Sequence, residues 1–311
     1  MADCLVITSL ADEFETEIAR LSDDSISVVA FRSTEAAREA YDGESVLFGN
    51  PAMIAPLLDE WPDIDWVQSS WAGVTPLIEA PRRDYILTGV KGVFGPQMSE
   101  YAFGYLLAHE LKLVERFQAQ QQRQWFREHS GVLEGKSLGI MGTGSIGAHI
   151  AATARAFGMA PLGYSRTGTA VEPFQQTFSA DQLEPFLAQS DHLVATLPDT
   201  PETTHLLNRD TLALLPKGAC FINVGRSNCV DDAALVDALR SGQLAGATLD
   251  VFDEEPLPED SPLWDAPNLN VTAHIAAISH PLLLVPIFID NYRRYVSDQP
   301  LKYVVDFDAG Y

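Results

Sequence analysis

Four short segments of this sequence hold the side chains or the backbone freedom that chemistry needs. The first is Gly142-Thr143-Gly144-Ser145-Ile146-Gly147, which follows the apolar run Leu138-Gly139-Ile140-Met141 and opens an alanine-rich stretch. Set between a strand and a helix, this spacing is a dinucleotide-binding fingerprint. Gly142 permits the tight turn, Gly144 lets a pyrophosphate approach main chain, and Gly147 lets the helix pack on the strand. The N–H groups at the helix start, around Ser145 and Ile146, then face the phosphates. The other segments are Asn223-Val224-Gly225-Arg226-Ser227, Leu249 to Pro258 with Asp250, Glu254 and Glu255, and Val271-Thr272-Ala273-His274-Ile275-Ala276-Ala277. Each places a polar group at the C-terminal end of an apolar run, where open α/β sheets put their ligand crevice. Arginine gives a planar carboxylate two fixed donors. Histidine delivers a proton near neutral pH, and a neighbouring carboxylate favours its charged form.

The cofactor type is read at the tip of the second strand after the glycine loop, where an acidic residue would accept from the ribose hydroxyls of NAD. Here the tip reads Ser165-Arg166-Thr167, two hydroxyls and a guanidinium with no carboxylate. Arginine matches a phosphate and a carboxylate would repel it. The sequence therefore predicts NADP(H) over NAD(H).

These groups need a scaffold of strands. Cys4–Thr8, Ser27–Phe31, Ser45–Phe48, Trp66–Ser69 and Tyr85–Thr88 read as strands, with helices Asp12–Leu21, Ser33–Tyr41 and Pro51–Leu58 between them. A long helix is expected over Gln97–Gln122. The alternation then resumes with strands Ser137–Met141, Ala160–Tyr164, His192–Leu197, Ala219–Val224, Ala247–Leu249 and Leu269–Thr272, and helices Ser145–Phe157, Asp181–Gln189, Asn208–Leu215 and Asp231–Ser241. Nearly wholly apolar strands alternating with helices imply parallel sheets buried on both faces. The fold class expected is α/β, with two Rossmann-like, doubly wound parallel-sheet domains and a cleft between them. Residues 1–97 with 284–311 form the substrate-binding domain, and 98–283 the dinucleotide-binding domain. Pro286 should kink the returning helix.

From about Trp66 to the C-terminus the sequence resembles the D-isomer-specific 2-hydroxyacid dehydrogenases. The resemblance rests on the glycine fingerprint, the Leu197-Pro198-Asp199-Thr200-Pro201-Glu202-Thr203 segment, Asn223–Arg226 with Val230-Asp231, Asp250-Val251-Phe252 and the His274 loop. Ser165-Arg166-Thr167, Ser261-Pro262-Leu263-Trp264, His274-Ile275-Ala276-Ala277 and the terminal Gly310-Tyr311 are most similar to the bacterial, NADPH-using A type of glyoxylate/hydroxypyruvate reductase. The resemblance implies that Arg226 holds a 2-oxo acid by its carboxylate and ketone oxygen. It implies that His274 is the general acid/base and that a glutamate is its partner. The Asp-to-Glu spacing favours Glu255 for that partner, with Glu254 its neighbour. Leu197, Pro198, Thr203, Val224, Gly225, Asp250 and Ala276 are implied around the cofactor, Asp250 beside the nicotinamide. Ser70-Trp71-Ala72-Gly73-Val74 resembles the family's substrate loop, with Ala72 and Gly73 as main-chain donors to the carboxylate. Trp71 walls the pocket, favouring either small or aromatic substrates. Ser227 and Ala273 depart from the family pattern of Gly and Pro beside the catalytic groups.

The implied activity is NADPH-dependent reduction of glyoxylate, hydroxypyruvate or a similar small 2-oxo acid. A reductase of larger acids such as phenylpyruvate, and a dinucleotide-sensing module without turnover, are the alternatives. The long helix and Trp125-Phe126 resemble the family's dimer-forming region, so a homodimer is expected.

Composition narrows the partners. The chain has 311 residues, 43 acidic against 20 basic, a net charge of −23. Such a surface repels nucleic acid and anionic membrane. Three cysteines with no metal-ligand spacing, no leader pattern at the start and no apolar run beyond about nine residues make a soluble, cytoplasmic protein without metal the expectation. The bound ligands are themselves anions, so Arg226, Arg166 and the helix start must offset the global field locally.

Overall fold

The computed structural model describes residues 3–308, so Gly310 and Tyr311 lie outside the described residues. The chain divides into two compact units, residues 1–93 with 279–311, and residues 94–278. Each is an α/β unit built on a parallel sheet.

The first unit carries β1 (Cys4–Ile7), β2 (Val28–Phe31), β3 (Val46–Gly49), β4 (Trp66–Ser69) and β5 (Ile86–Thr88) in the order β2-β1-β3-β4-β5. Helices α1 (Ala11–Ser22), α2 (Thr34–Ala40), α3 (Pro51–Ile54) and α4 (Thr75–Ile78) connect them. The central strands β1, β3 and β4 are buried along their whole length, and only the edge strands show exposed positions. Leu5, Ile7, Leu47, Val67 and Leu87 fill one side of the sheet.

The second unit carries β6 (Ser137–Met141), β7 (Ala160–Tyr164), β8 (Gln176–Phe178), β9 (His192–Ala195), β10 (Ala219–Asn223), β11 (Leu244–Leu249) and β12 (Leu269–Val271). Their order is β12-β11-β10-β9-β6-β7-β8, all parallel. Read from β8 inward this is the dinucleotide-binding order 3-2-1-4-5-6 with one strand added, and the order reverses between β6 and β9. Helices α5 (Gly95–Glu110), α6 (Leu113–Gln121), α7 (Ser145–Ala156), α8 (Leu183–Ala188), α9 (Arg209–Leu212) and α10 (Asp232–Arg240) accompany it. Strand β8 is too short and polar to be read from the sequence, since only Phe178 of its three residues is apolar and buried.

The single helix expected over Gln97–Gln122 is two helices. Lys112 takes a left-handed φ of 50° between α5 and α6. The end of α5 is pinned by Glu110, buried at 6% exposure, whose Oε1 lies 2.5 Å from Lys136 Nζ and 3.0 Å from His192 Nε2. These contacts join residues distant in sequence, which the helical periodicity could not reveal.

The chain then returns to the first unit as α11 (Pro281–Val296). Phe288 of α11 stacks on Phe48 at 4.6 Å and on Trp66 at 5.6 Å between ring centres. Buried Asn291 donates to Gln68 Oε1 at 3.0 Å and accepts from Lys302 N at 2.8 Å. The following segment adds to β5, with Val305 N donating to Leu87 O at 2.9 Å, and covers that sheet edge. Helix α11 runs through Pro286 without interruption. Pro286 sits on the exposed side with Leu282, whose carbonyl loses its helical donor there, and water can replace it.

Candidate active site

The glycine loop stands at the point where the sheet order reverses. Gly142 leaves β6 with φ 104°, and a Cβ there would lie 2.6 Å from Thr196 Oγ1. A Cβ on Gly147 would lie 1.9 Å from the Gly142 carbonyl oxygen, so the helix can approach the strand only with glycine. Gly144 differs from both: nothing lies within 4 Å of the position its Cβ would take. It precedes the first turn of the twelve-residue α7, and no side chain caps that end. Ser145 is exposed and Ile146 half-buried beside it. Uncapped N–H groups, the positive end of the helix dipole and open space together fit a dinucleotide pyrophosphate.

At the end of β7, buried Tyr164 gives way to Ser165, Arg166 and Thr167. Ser165 Oγ accepts from Gly168 N at 3.2 Å, which turns the loop back. Arg166 and Thr167 are exposed, and Arg166 has no ion pair among the described residues. Beyond β9, Leu197 is buried and Pro198 exposed. Thr203 Oγ1 ties that turn together, within 2.9 Å of Pro198 O and 3.2 Å of Asn228 Nδ2.

Strand β10 delivers Arg226 through a turn built by Asn223, a buried residue that sequence reading treated only as part of a motif. Its Oδ1 accepts from Gly225 N at 3.0 Å and its Nδ2 donates to Arg226 O at 3.0 Å. A Cβ at Gly225 would press on Leu197 N at 2.8 Å, and Val224 is buried before it. Arg226 Nη1 donates to Gly225 O at 2.7 Å. Burial pulls the guanidinium pKa down while Asp199 and Glu255 oppose the shift, so a cation is held here beside two carboxylates.

Strands β11 and β12 deliver the remaining groups. Glu255 Oε1 accepts from Phe252 N at 3.0 Å, and its Oε2 lies 2.9 Å from His274 Nδ1. Of the two neighbouring glutamates, Glu255 is the one that meets the histidine. Glu254 lines a separate cavity of about 360 Å³ with Asp232, Asp253 and Asp260. His274 has φ 54°, a left-handed backbone that non-glycine residues seldom take. Ala276 is buried two residues on. Asp250, 1% exposed, spends both carboxylate oxygens on the loop around His274. Oδ1 accepts from Thr272 Oγ1 at 2.6 Å and Ile275 N at 2.9 Å, and Oδ2 from Ala276 N at 2.8 Å.

In the first unit, Ser69 Oγ holds the turn after β4. It accepts from Trp71 N at 3.0 Å and donates to Trp71 O at 2.9 Å. Trp71 and Ala72 are exposed, Gly73 is half-buried, and Ser279 Oγ donates to Ser70 O at 2.6 Å. Cys220 and Cys229 are buried, and burial pushes each thiol up to about 12, which leaves them as inert packing. Among the described residues no cluster of His, Cys, Asp and Glu is arranged to hold a metal, and no helix is long and apolar enough to cross a membrane.

The sheet order and glycine loop define a dinucleotide-binding domain. Comparison with known proteins places it within a family. Residues 103–276 match the family model of the D-isomer specific 2-hydroxyacid dehydrogenase, NAD binding domain. The glyoxylate/hydroxypyruvate reductase A of Serratia proteamaculans is 36% identical over 215 residues, 69% of each chain. A solved D-isomer specific 2-hydroxyacid dehydrogenase family protein from Aeromonas salmonicida is 40% identical, with a TM-score of 0.91 over 99% of this chain and 100% of that one. The NADPH-dependent glyoxylate/hydroxypyruvate reductase of Sinorhizobium meliloti, solved with NADP and sulfate, is 29% identical with a TM-score of 0.89, covering 99% and 100%. The chain belongs to the D-isomer specific 2-hydroxyacid dehydrogenase family of oxidoreductases.

Proposed function

We propose that this protein reduces a small 2-oxo acid, glyoxylate or hydroxypyruvate, to the D-2-hydroxy acid with NADPH as reductant. The observation that carries the reading is the 2.9 Å contact between His274 Nδ1 and Glu255 Oε2, in the unit that also holds Arg226 at a strand end. The names of the Serratia and Sinorhizobium relatives support the substrate class, and the NADP in the latter supports the cofactor.

The N–H groups around Gly144, Ser145 and Ile146 would hold the pyrophosphate, with Gly142 and Gly147 shaping the loop. Ser165, Arg166 and Thr167 would take the 2′-phosphate, for which a partnerless guanidinium is suited. Leu197, Pro198, Thr203, Val224, Gly225, Asp250 and Ala276 would flank the rest of the dinucleotide. Once bound, the reduced nicotinamide supplies a hydride to the carbonyl carbon. His274 Nδ1–H donates to Glu255, which fixes the tautomer and leaves Nε2 to carry the proton that goes to the carbonyl oxygen. The imidazole is then neutral, and its side chain, 45% exposed, recovers a proton from solvent. Arg226 offers paired donors to the substrate carboxylate and the developing oxyanion. In the first unit, Ala72 and Gly73 offer main-chain donors to the carboxylate and Trp71 limits the substrate side chain.

On this reading residues 1–97 with 284–311 serve the substrate, and residues 98–283 the cofactor and self-association. The segment from α6 onward exposes Phe117 at 62%, Trp125 at 86% and Val132 at 67%. Large apolar side chains exposed to this degree suit an interface, and a second copy of the chain would be its partner in a cytoplasmic homodimer. The test is oxidation of NADPH on adding glyoxylate, hydroxypyruvate or phenylpyruvate. Highest kcat/KM for one of the first two agrees with the proposal, preference for phenylpyruvate shifts the substrate class, and silence across the panel favours a dinucleotide-binding module.

A further inference from the structure

We infer that Tyr101 and Thr272 are positioning residues for His274, acting through the buried carboxylate of Asp250. The inference rests on the reading of His274 as the proton donor and concerns what keeps it aimed. Tyr101 lies on α5, and its Oη is 2.5 Å from Thr272 Oγ1 at the end of β12. Thr272 Oγ1 is in turn 2.6 Å from Asp250 Oδ1.

The direction of these bonds follows from counting hydrogens. A carboxylate only accepts, so the single hydroxyl hydrogen of Thr272 goes to Asp250. Thr272 must then accept from Tyr101, which donates its own hydrogen. Burial and the charge of Asp250 push the Tyr101 pKa up, so the phenol keeps that hydrogen. Asp250 also accepts from the N–H groups of Ile275 and Ala276, at 2.9 and 2.8 Å. Those are the two peptides immediately following His274.

The arrangement answers a specific difficulty. A left-handed φ of 54° at His274 is unfavourable for a residue with a side chain, and persists where the surroundings over-determine it. One carboxylate gripping two successive N–H groups does so, and Tyr101 and Thr272 fix the carboxylate. Both bonds reach across the unit, from a helix through one strand end to another. The charged and titratable groups near the ring include Glu255 on Nδ1 and Asp250, which grips the following main chain with Tyr101 beyond it; Arg226 interacts electrostatically with Glu255 and Asp199. If the loop slackens, Glu255 and the ring separate and the imidazolium loses its partner.

The test uses Thr272→Val, Thr272→Ser and Tyr101→Phe in the full chain. Steady-state reduction is followed against pH, and the His274 ring is titrated by NMR, its signal identified by its loss in His274→Ala. Thr272→Val should lower kcat about 10- to 100-fold, the range for a misplacement near 1 Å, with KM for NADPH nearly unchanged. Its ring titration and the alkaline limb of the rate profile should both move to lower pH. Tyr101→Phe, which removes one oxygen and keeps the ring packing, should move both in the same direction by less. Thr272→Ser keeps the hydroxyl and should restore wild-type turnover within about 2-fold. The inference is overturned if Thr272→Val and Tyr101→Phe match wild type in turnover and ring titration, or if Thr272→Ser is damaged as badly as Thr272→Val. Should Thr272→Val not fold, Tyr101→Phe decides by the same criteria. Wild type without turnover, or His274→Ala with full turnover, instead contradicts the proton-donor reading. The ring titration then still decides whether the clamp holds the loop.

Discussion

Nδ1 of His274 lies 2.9 Å from Oε2 of Glu255, and the other oxygen of that carboxylate accepts from Phe252 N at 3.0 Å. The glutamate is thus held by main chain on one side and holds the imidazole on the other. Replacing it by glutamine keeps the shape and removes the charge. Glu255→Gln should lower kcat about 10-fold or more with KM for NADPH nearly unchanged, because the ring loses the anionic partner that orients it. Unchanged kcat would mean that this carboxylate does not support the acid.

Arg166 is exposed and carries no ion pair among the described residues of a chain with 43 acidic side chains. Arg166→Ala should lower kcat/KM for NADPH about 10-fold or more while leaving that for NADH nearly constant, the signature of a lost phosphate contact. Equal losses with both cofactors would remove Arg166 from the 2′-phosphate site.

Gly147 has no space for a side chain, since a Cβ would meet the Gly142 carbonyl oxygen at 1.9 Å. Gly147→Ala should destabilise the second unit by about 1–3 kcal/mol and weaken dinucleotide binding in fluorescence titration. A matching alanine at Gly144, where the surrounding space is open, should leave the melting temperature close to wild type and weaken binding alone. Identical behaviour of the two variants would contradict the distinction between packing and ligand glycines.

His192 and Glu110 are buried beside the half-buried Lys136 in the second unit. Its Nε2 is 3.0 Å from Glu110 and its Nδ1 accepts from Cys220 N at 3.3 Å, a pattern that satisfies the neutral ring. Burial, reinforced by Lys136, pulls its pKa down to about 4. The unfolded chain therefore binds more protons than the native one below the ordinary histidine pKa of about 6.5. The stability that follows is fully present above that pH and is lost as pH falls toward 4. His192→Gln should show a shallower fall of melting temperature across this window than wild type. Parallel slopes would exclude His192 as a contributor.

The glycine loop and the parallel strands were legible because each depends on local spacing: apolar runs of strand length and a turn that only glycine fits. The polar groups beyond the strand ends were visible too, but their roles came from the family resemblance, within which the spacing from Asp250 favoured Glu255, the glutamate that meets His274. What stayed hidden depends on long-range contact. Tyr101 reads as one more apolar helix position until Thr272 is found 2.5 Å from its hydroxyl, 171 residues along the chain. The break at Lys112 lies beside Glu110, which meets Lys136 and His192, and no periodicity encodes that pairing. Strand β8 was missed because three residues with one buried aromatic carry too little pattern. Helix α11 continues through Pro286 on its exposed face, where solvent can take the freed carbonyl, and that placement is set by packing.

The most direct test of the account is the reduction of glyoxylate and hydroxypyruvate by NADPH, measured for wild type and His274→Ala together with NADPH binding to each. Wild type should turn over, and the variant should lose kcat by about 100- to 10,000-fold, the contribution of a positioned acid, while binding NADPH with nearly the same affinity. Turnover that survives in His274→Ala would contradict the account.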